Sequence, residues 1–256
     1  AFFSKVNEII ILNQTFHDNS FLGSVEFFVE DSRDSTNTKT ILLNLAINNF
    51  TISNNSIPSD KRFMYFSTQG SHLDQLKIEN CLVTQNSFSG QIFSFTSKLL
   101  KASTLSDVPK PLYLNAIKIY DHLNPIDLTF FSLVPYVSSQ IASNCFQLIE
   151  PYSLFVNGLD VINNNFTRSS QSSWMFEARL FDVQETQITL TNSTISDNFF
   201  KYSNLFNINQ KPSTFIFFNN TVRANTFILS QLVSTGYLTS NSFCVTMGDQ
   251  IISKTP

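Results

Sequence analysis

A seven-residue element that begins and ends with asparagine recurs along the chain and constrains the fold more than any other feature. Its form is Asn, any residue, Thr or Leu, an apolar residue, two further residues and a final Asn. The copies begin at Asn13, Asn49, Asn80, Asn192 and Asn219, with a partial copy at Asn163 and a weaker one at Asn241. The interval between the copies at Asn80 and Asn163 is 83 residues. We expect it to hold about three units whose asparagine signature is lost.

The residues around each copy have the periodicity of β-strands. A stretch of alternating apolar and polar residues precedes each good copy, as in residues 45–48 and 76–79. A second apolar stretch follows it, as in residues 63–66. Alternation with period two is typical of a strand with one buried face. Two or three short strands per repeat of about 30 residues predict an all-β solenoid of roughly nine coils, in which stacking closes the core.

Asparagine suits the corners of such a coil, because it tolerates left-handed backbone conformations and bonds to its own backbone. When corners stack above one another, their side chains are expected to form hydrogen-bonded ladders, and phenylalanines are expected to stack inside. Two other repeat architectures stay open. Leucine-rich repeats place Asn three residues after Leu and add a helix, whereas a sandwich or propeller needs hairpin signals such as Asn-Gly, which occurs only at Asn157-Gly158.

The pattern L-x-I-x-N-x-x-[FIV]-x-x-N over residues 9–246 resembles right-handed parallel β-helix proteins of the pectin-lyase-like superfamily. It is most similar to their repeat-rich, non-enzymatic surface members, including the FxxN repeats of polymorphic outer-membrane proteins, although their Gly-Gly-Ala-[Ile/Leu] motif is absent. The bias towards Asn, Phe and Ser also resembles large secreted β-helix proteins of ciliates. This resemblance implies a right-handed parallel β-helix with a structural role at a surface.

Composition excludes several functional classes. The net charge is −3 and only 14% of residues are charged, so no basic surface for nucleic acid is expected. The longest apolar runs, such as residues 8–12, are too short for a membrane span. Six glycines among 256 residues fit poorly with a nucleotide-binding α/β enzyme. No secretory leader is visible, and we expect the chain to be a single β-helix segment of a longer rod, with its irregular coils and long loops at residues 87–160.

The sequence contains no recognisable catalytic cluster, metal site or cofactor motif. His17, His72 and His122 lack metal-ligand spacing. Cys81, Cys145 and Cys244 form no close pair, and we interpret them as small core residues. Trp174 lies in a Ser/Gln-rich stretch, where it either contacts a sugar or covers the end of the core. We therefore expect no enzymatic activity.

Sequons for N-glycosylation occupy a regular place in the repeat. They stand at Asn13, Asn49, Asn54, Asn165, Asn192 and Asn219. Four of them hold the first position of the repeat, so glycans would line up along the rod if that corner faces outward. If the corner faces inward, the same residues form a buried ladder that carries no sugar.

We expect a structural or adhesive extracellular glycoprotein, a β-helical rod that is secreted or displayed at a cell surface. Its expected partners are N-linked glycans and copies of itself stacked end to end or neighbouring β-helix chains, without nucleic acid or a membrane span. Two alternatives stay open: a β-helix protein that binds or cleaves polysaccharides, and an intracellular scaffold.

Overall fold

The structure of the protein is a computed structural model. It describes residues 2–4, 8–22, 25–30, 41–57, 62–69, 71–88, 91–99, 110–126, 129–137, 152–167, 178–184, 186–209, 214–228, 230, 233–234, 244–247 and 250–252. These residues form β-strands and turns, and they contain no helix.

Twenty-four strands follow one another in the described part of the chain. In order, they are β1 (Phe2–Ser4), β2 (Glu8–His17), β3 (Val25–Glu30), β4 (Ile41–Ser53), β5 (Ser56–Ile57), β6 (Arg62–Gln69), β7 (Ser71–Thr84), β8 (Ser87–Phe88), β9 (Gln91–Leu99), β10 (Lys110–Tyr120), β11 (Thr129–Val137), β12 (Tyr152–Ile162), β13 (Asn165–Thr167), β14 (Ala178–Gln184), β15 (Thr186–Thr191), β16 (Thr194–Ser196), β17 (Phe199–Lys201), β18 (Ser203–Asn209), β19 (Thr214–Phe218), β20 (Asn220–Arg223), β21 (Thr226–Ile228), β22 (Val233–Ser234), β23 (Cys244–Met247) and β24 (Gln250–Ile252).

The chain alternates between two large parallel sheets. One has eight strands in the order β1-β3-β6-β9-β11-β14-β18-β22, and the other has eleven, with the main order β2-β4-β7-β10-β12-β15-β19-β23. Smaller sheets of three strands (β13-β17-β21) and two strands (β5-β8) follow the corner after the second sheet. Each strand therefore pairs with the equivalent strand of the next repeat, and the predicted all-β class with parallel stacking is confirmed.

In the repeats that the structure describes, the seven-residue element turns at two residues with a left-handed backbone, five positions apart. The first corner is formed by Asn13, Asn49, Asn80, Ala116, Gly158, Asn192 and Asn219, whose φ angles lie between 51° and 68°. The second is formed by Asp18, Asn54, Gln85, Asp121, Asn163, Asp197 and Ala224, with φ between 50° and 58°. The prediction that asparagine occupies left-handed corners is thus confirmed, and both corners lie within the recurring seven-residue element.

The assignment of repeats between Asn80 and Asn163 was wrong. Asn115 pairs with Glu79 on one side and with Asn157 on the other, so consecutive corners are Asn80, Ala116 and Gly158. The interval thus holds two repeats of 36 and 42 residues rather than about three. Asn163 belongs to the second corner, and Gly158 forms the first corner of the same repeat. Glycine adopts a left-handed backbone readily, so no asparagine marks that first corner in the sequence.

The core of the described residues consists of inward-facing side chains from the two large sheets and the three-stranded sheet. Ile47, Ile78, Leu114, Val156 and Leu190 are at most 1% exposed and succeed one another along the second sheet. The predicted stacking of phenylalanines is confirmed in a separate set, because the rings of Phe166, Phe200 and Phe227 follow one another with centroids 5.1 and 4.8 Å apart. One buried face per strand explains the alternation seen in the sequence.

Ala116 occupies a corner that favours asparagine. A left-handed backbone costs an alanine on the order of 1 kcal/mol, and asparagine relieves part of that cost. Ala116→Asn is therefore expected to raise the free energy of unfolding by about 0.5–1 kcal/mol in urea titrations. Ala46→Asn is the control, because Ala46 lies in the extended strand β4 and asparagine relieves no left-handed backbone there. A lower free energy of unfolding in Ala116→Asn than in the wild type would contradict this account.

Candidate functional site

A ladder of buried side chains crosses the repeats just after the second corner. It consists of Asn19, Asn55, Asn86, His122, Asn164, Asn198 and Asn225, and we call it the inner ladder. From Asn55 onwards, its members are at most 4% exposed. These residues are the final asparagines of the seven-residue element or take their place.

Each inner-ladder amide satisfies backbone groups as well as its neighbours. Asn198 Oδ1 accepts hydrogen bonds from the backbone N–H and from Nδ2 of Asn164, at 3.0 and 2.9 Å. Asn198 Nδ2 donates in turn to Asn225 Oδ1 and to the carbonyl of Val161. Since buried polar groups are costly when unpaired, this network sets the register of one repeat on the next.

His122 replaces asparagine in the middle of the inner ladder. Its Nδ1 lies 2.8 Å from Asn164 Oδ1, and its Nε2 lies 3.4 Å from Asn86 Nδ2. An amide oxygen only accepts and an amide nitrogen only donates, so the neutral ring must carry its proton on Nδ1. Burial lowers the pKa of His122 to about 4, although the Asn164 bond and Asp121 oppose that shift. His122 is thus a structural member of the ladder.

The first corner carries a second set of side-chain bonds on the outside, which we call the outer ladder. Asn49 Nδ2 donates to Asn13 Oδ1 at 2.9 Å, and Asn219 Nδ2 donates to Asn192 Oδ1 at 2.6 Å. Asn192 Nδ2 continues the second series to Asn157 Oδ1 at 2.7 Å. Asn13, Asn49, Asn192 and Asn219 are exposed. The corner therefore faces outward and still forms a ladder, because the inner ladder is built from a different asparagine of the element.

The other sequon residues lie apart from this row. Asn54 is exposed at the second corner, where its Nδ2 donates to Asp18 Oδ1. Asn165 is half-buried after the second corner, and its Nδ2 donates to the carbonyl of Leu123 at 3.5 Å. The six sequons thus divide into four at the outer ladder and two at other positions.

Among the cysteines singled out in the sequence, Cys81 lies in the hydrophobic core. Cys81 is buried and unpaired, and burial raises the pKa of its thiol. Trp174 and Cys145 lie outside the described residues. In the part of the chain that the structure describes, no group of three or more His, Cys, Asp or Glu side chains is placed to hold a metal ion. The described residues also include no helix with the length and apolarity of a membrane span.

An open polar groove of about 380 Å³ lies along the second corners of the first three repeats. Its lining contains three rows of side chains: Asp18, Asn54 and Gln85; the inner-ladder residues Asn19, Asn55 and Asn86; and Ser20, Ser56 and Ser87. Asn124, from the next repeat, completes it. Every lining side chain carries an amide, hydroxyl or carboxylate group, and Asp18 is the only charged one among them.

Asn124 reaches the groove because its repeat contains two extra residues. Two positions separate Asn164 from the core residue Phe166, whereas four separate His122 from the equivalent Ile126. The added segment carries Leu123, which is 68% exposed. The groove has a size typical of small-molecule sites, and its neutral polar lining suits a hydroxylated ligand.

A pair of aromatic side chains lies on the outer face of the second sheet. The rings of Tyr113 and Phe155 stack with centroids 5.4 Å apart and an interplanar angle of 19°. On the same face, the Tyr120 hydroxyl donates to Asp160 Oδ2 at 2.9 Å. Partial burial and the Asp160 interaction raise the pKa of Tyr120 to about 12. These contacts join neighbouring strands and stabilise their alignment.

Comparisons with known protein families, with curated proteins and with solved structures find no match to this chain.

Sequence reasoning predicted ladders of stacked asparagines, but it missed the groove and the fact that the final asparagine of the element builds the buried ladder. The recurring final asparagine of the element is the signal for the ladder, but periodicity alone does not say which of two asparagines points inward. The groove has no contiguous signal, since it joins residues from four repeats. Its serines follow the final asparagines directly in Asn19-Ser20, Asn55-Ser56 and Asn86-Ser87.

Removing one inner-ladder amide should destabilise the protein strongly. Asn198→Ala leaves the backbone N–H and Nδ2 of Asn164 without their acceptor, and we expect the free energy of unfolding to fall by about 2–4 kcal/mol. Asn192→Gly removes an exposed amide and keeps the left-handed backbone, so we expect a loss of less than about 1 kcal/mol. Equal losses in urea titrations would refute the special role of the inner ladder.

Because His122 is buried in the inner ladder, the free energy of unfolding should depend on pH. The unfolded chain binds a proton at the ordinary histidine pKa of about 6.5, whereas folded His122 stays neutral down to about pH 4. Stability should therefore be full above about pH 6.5 and fall by about 3 kcal/mol as the pH drops to 4. Comparing urea titrations with those of His122→Asn isolates this effect, because the variant keeps an amide in the ladder; identical pH profiles would contradict it.

Proposed function

We propose that this chain is a segment of a structural or adhesive extracellular glycoprotein, a parallel β-helical rod secreted or displayed at a cell surface or built into a fibre. The observation that carries the proposal is the outer ladder, which presents a row of exposed sequon asparagines on a rigid corner. Such a role needs a stiff, repetitive surface and no reaction.

The strand order supports the β-helical part of the proposal. Two parallel sheets take alternate strands of the chain, and the third short sheet follows a corner of constant geometry. Wrapping of the chain around one core would give a right-handed β-helix with one coil for each of the eight strands of the large sheets, which at about 4.8 Å per coil is about 40 Å long. The repeat pattern of the sequence is similar to that of surface proteins of the pectin-lyase-like superfamily, and this similarity favours a structural role at a surface.

The chemistry of the outer ladder supports the glycoprotein part. A glycan attaches to the amide nitrogen of asparagine, which has two hydrogens, and the ladder bond of Asn49 uses one of them. Glycosylation at Asn13, Asn49, Asn192 and Asn219 is thus compatible with the fold. End-to-end stacking with copies of the chain or with neighbouring β-helix chains belongs to the same proposal.

The polar groove favours a second candidate, a β-helix protein that binds polysaccharides. Its neutral rows of amides and hydroxyls repeat from one strand to the next, so they match a ligand with hydroxyl groups at regular intervals. Titration of the protein with soluble neutral polysaccharides, monitored by calorimetry, tests this candidate. The absence of heat with any of them would remove it without affecting the rod proposal.

The rod proposal is tested by mass spectrometry of glycopeptides from protein isolated from its natural source. We expect sugar on Asn13, Asn49, Asn192 and Asn219, because these sequons are exposed at one corner, and less on the half-buried Asn165. Treatment with an amidase that converts glycosylated Asn to Asp provides the control for site assignment. Bare asparagines at all six sequons would overturn the extracellular assignment.

A further inference from the structure

Three side chains of the first two repeats form a hydrogen-bonded relay on the surface. His17 Nδ1 lies 2.8 Å from Ser53 Oγ, and His17 Nε2 lies 2.7 Å from Asp18 Oδ2. A hydroxyl, an imidazole and a carboxylate thus follow one another within hydrogen-bond distance. This is the order of groups that activates a serine for nucleophilic attack.

The chemistry of the neighbours determines how the histidine is protonated in the relay. The Asp18 carboxylate only accepts hydrogen bonds, so Nε2 of neutral His17 carries the proton and donates it to Asp18. Nδ1 then has its lone pair free and accepts the hydrogen bond from the Ser53 hydroxyl. His17 is therefore in the tautomer of a general base towards Ser53.

The backbone holds the three groups in place. His17 and Ser53 end the neighbouring strands β2 and β4 and face each other in register. Asp18 occupies the left-handed second corner, and its Oδ1 accepts a hydrogen bond from Asn54 Nδ2. The backbone N–H of Asp18 also donates to the Ser53 carbonyl at 3.3 Å. Backbone and side-chain contacts thus bond His17 and Asp18 to the next repeat, which carries Ser53.

We propose that Ser53 is the nucleophile of an ester-hydrolysing site, with His17 as its general base and Asp18 as the group that orients the imidazole. Ser53 Oγ bonds to the ester carbonyl carbon while its proton passes to His17 Nδ1. The ester C–O bond then breaks, the leaving alcohol takes the proton from His17, and the acyl group stays on Ser53. Water attacks the acyl-serine in the same way, releasing the acid and restoring the hydroxyl.

The surroundings of Ser53 indicate the class of substrate. Asp18, a member of the relay, and Asn54, which donates a hydrogen bond to it, also line the polar groove. That lining is neutral apart from Asp18, so the site fits a small acyl ester of a neutral, hydroxylated alcohol that lies in the groove. Thr84 stands opposite Ser53 on strand β7, on the side away from His17.

The exposure of the relay sets the expected rate. The side chains of His17 and Asp18 are 58% and 57% exposed, so water weakens the electrostatic support that a buried triad receives. Reaction with activated esters and serine-directed reagents is therefore expected to be slow but selective for Ser53. This activity goes beyond the rod proposal and departs from the expectation that the chain lacks a catalytic cluster.

The test is the rate at which a fluorophosphonate probe modifies each serine of the intact chain, followed by peptide mass spectrometry. We expect modification at Ser53 to be faster than at Ser56 and Ser87, which are exposed on the groove but are not bonded to a histidine. His17→Gln should slow modification of Ser53 about 100-fold, the lower range of general-base catalysis. With p-nitrophenyl acetate, an acetyl group should appear on Ser53 and not in Ser53→Ala.

Two further variants make the result specific. Asp18→Asn keeps a side chain suited to the left-handed corner and removes the carboxylate, so it should slow the reaction while leaving thermal unfolding nearly unchanged. Gln14→Ala, an exposed substitution three residues before His17 on strand β2 that keeps the Asn13 sequon, should react at the wild-type rate. Modification of Ser53 no faster than of Ser56 and Ser87, or an unchanged rate in His17→Gln, would overturn the site; the glycopeptide result is independent of both.

Discussion

The inner ladder is the interaction on which the rest of this structure depends. A parallel stack buries the ends of its strands at every corner, where backbone N–H and carbonyl groups would otherwise lack partners. The amide of asparagine has the donor and the acceptor needed to serve its own repeat and the next one at once, as Asn198 does between Asn164 and Asn225. The repeat therefore carries an asparagine at this place in nearly every copy, and a histidine substitutes only in a tautomer that preserves the direction of donation.

The two ladders run in opposite directions and have different consequences. In the inner ladder, each amide nitrogen donates to the following repeat, as from Asn55 to Asn86, whereas in the outer ladder it donates to the preceding one, as from Asn49 to Asn13. The buried ladder contributes to stability because an unpaired amide there has no access to water. The exposed ladder contributes less, since water competes for its bonds, and its asparagines are free to vary or to carry a modification. This separation leaves the outer surface available for function while the interior maintains the register.

Much of the architecture could be predicted from the sequence, because its signals are local. Alternation predicts the strands, and a positive φ at Asn13 or Asn49 follows from the preference of asparagine for that conformation. Between Asn80 and Asn192 the same reasoning failed, because Ala116 and Gly158 occupy the first corner and Asn163 the second. The groove and the Ser53–His17–Asp18 relay were not predictable, since their members come from different repeats and meet only when the register of 36 residues between β2 and β4 is known.

The strand class, the polarity of the strands' two faces and the asparagines at five of the seven described first corners follow from the sequence, because these depend on the preferences of single residues and their near neighbours. Which asparagine of each element points inward and which faces water follows from the tertiary fold. Both asparagines have the same side chain, so their roles depend on the direction in which the chain turns and on the amide of the neighbouring repeat. Likewise, a histidine and a serine 36 residues apart become a chemical unit only when parallel pairing places their strands side by side.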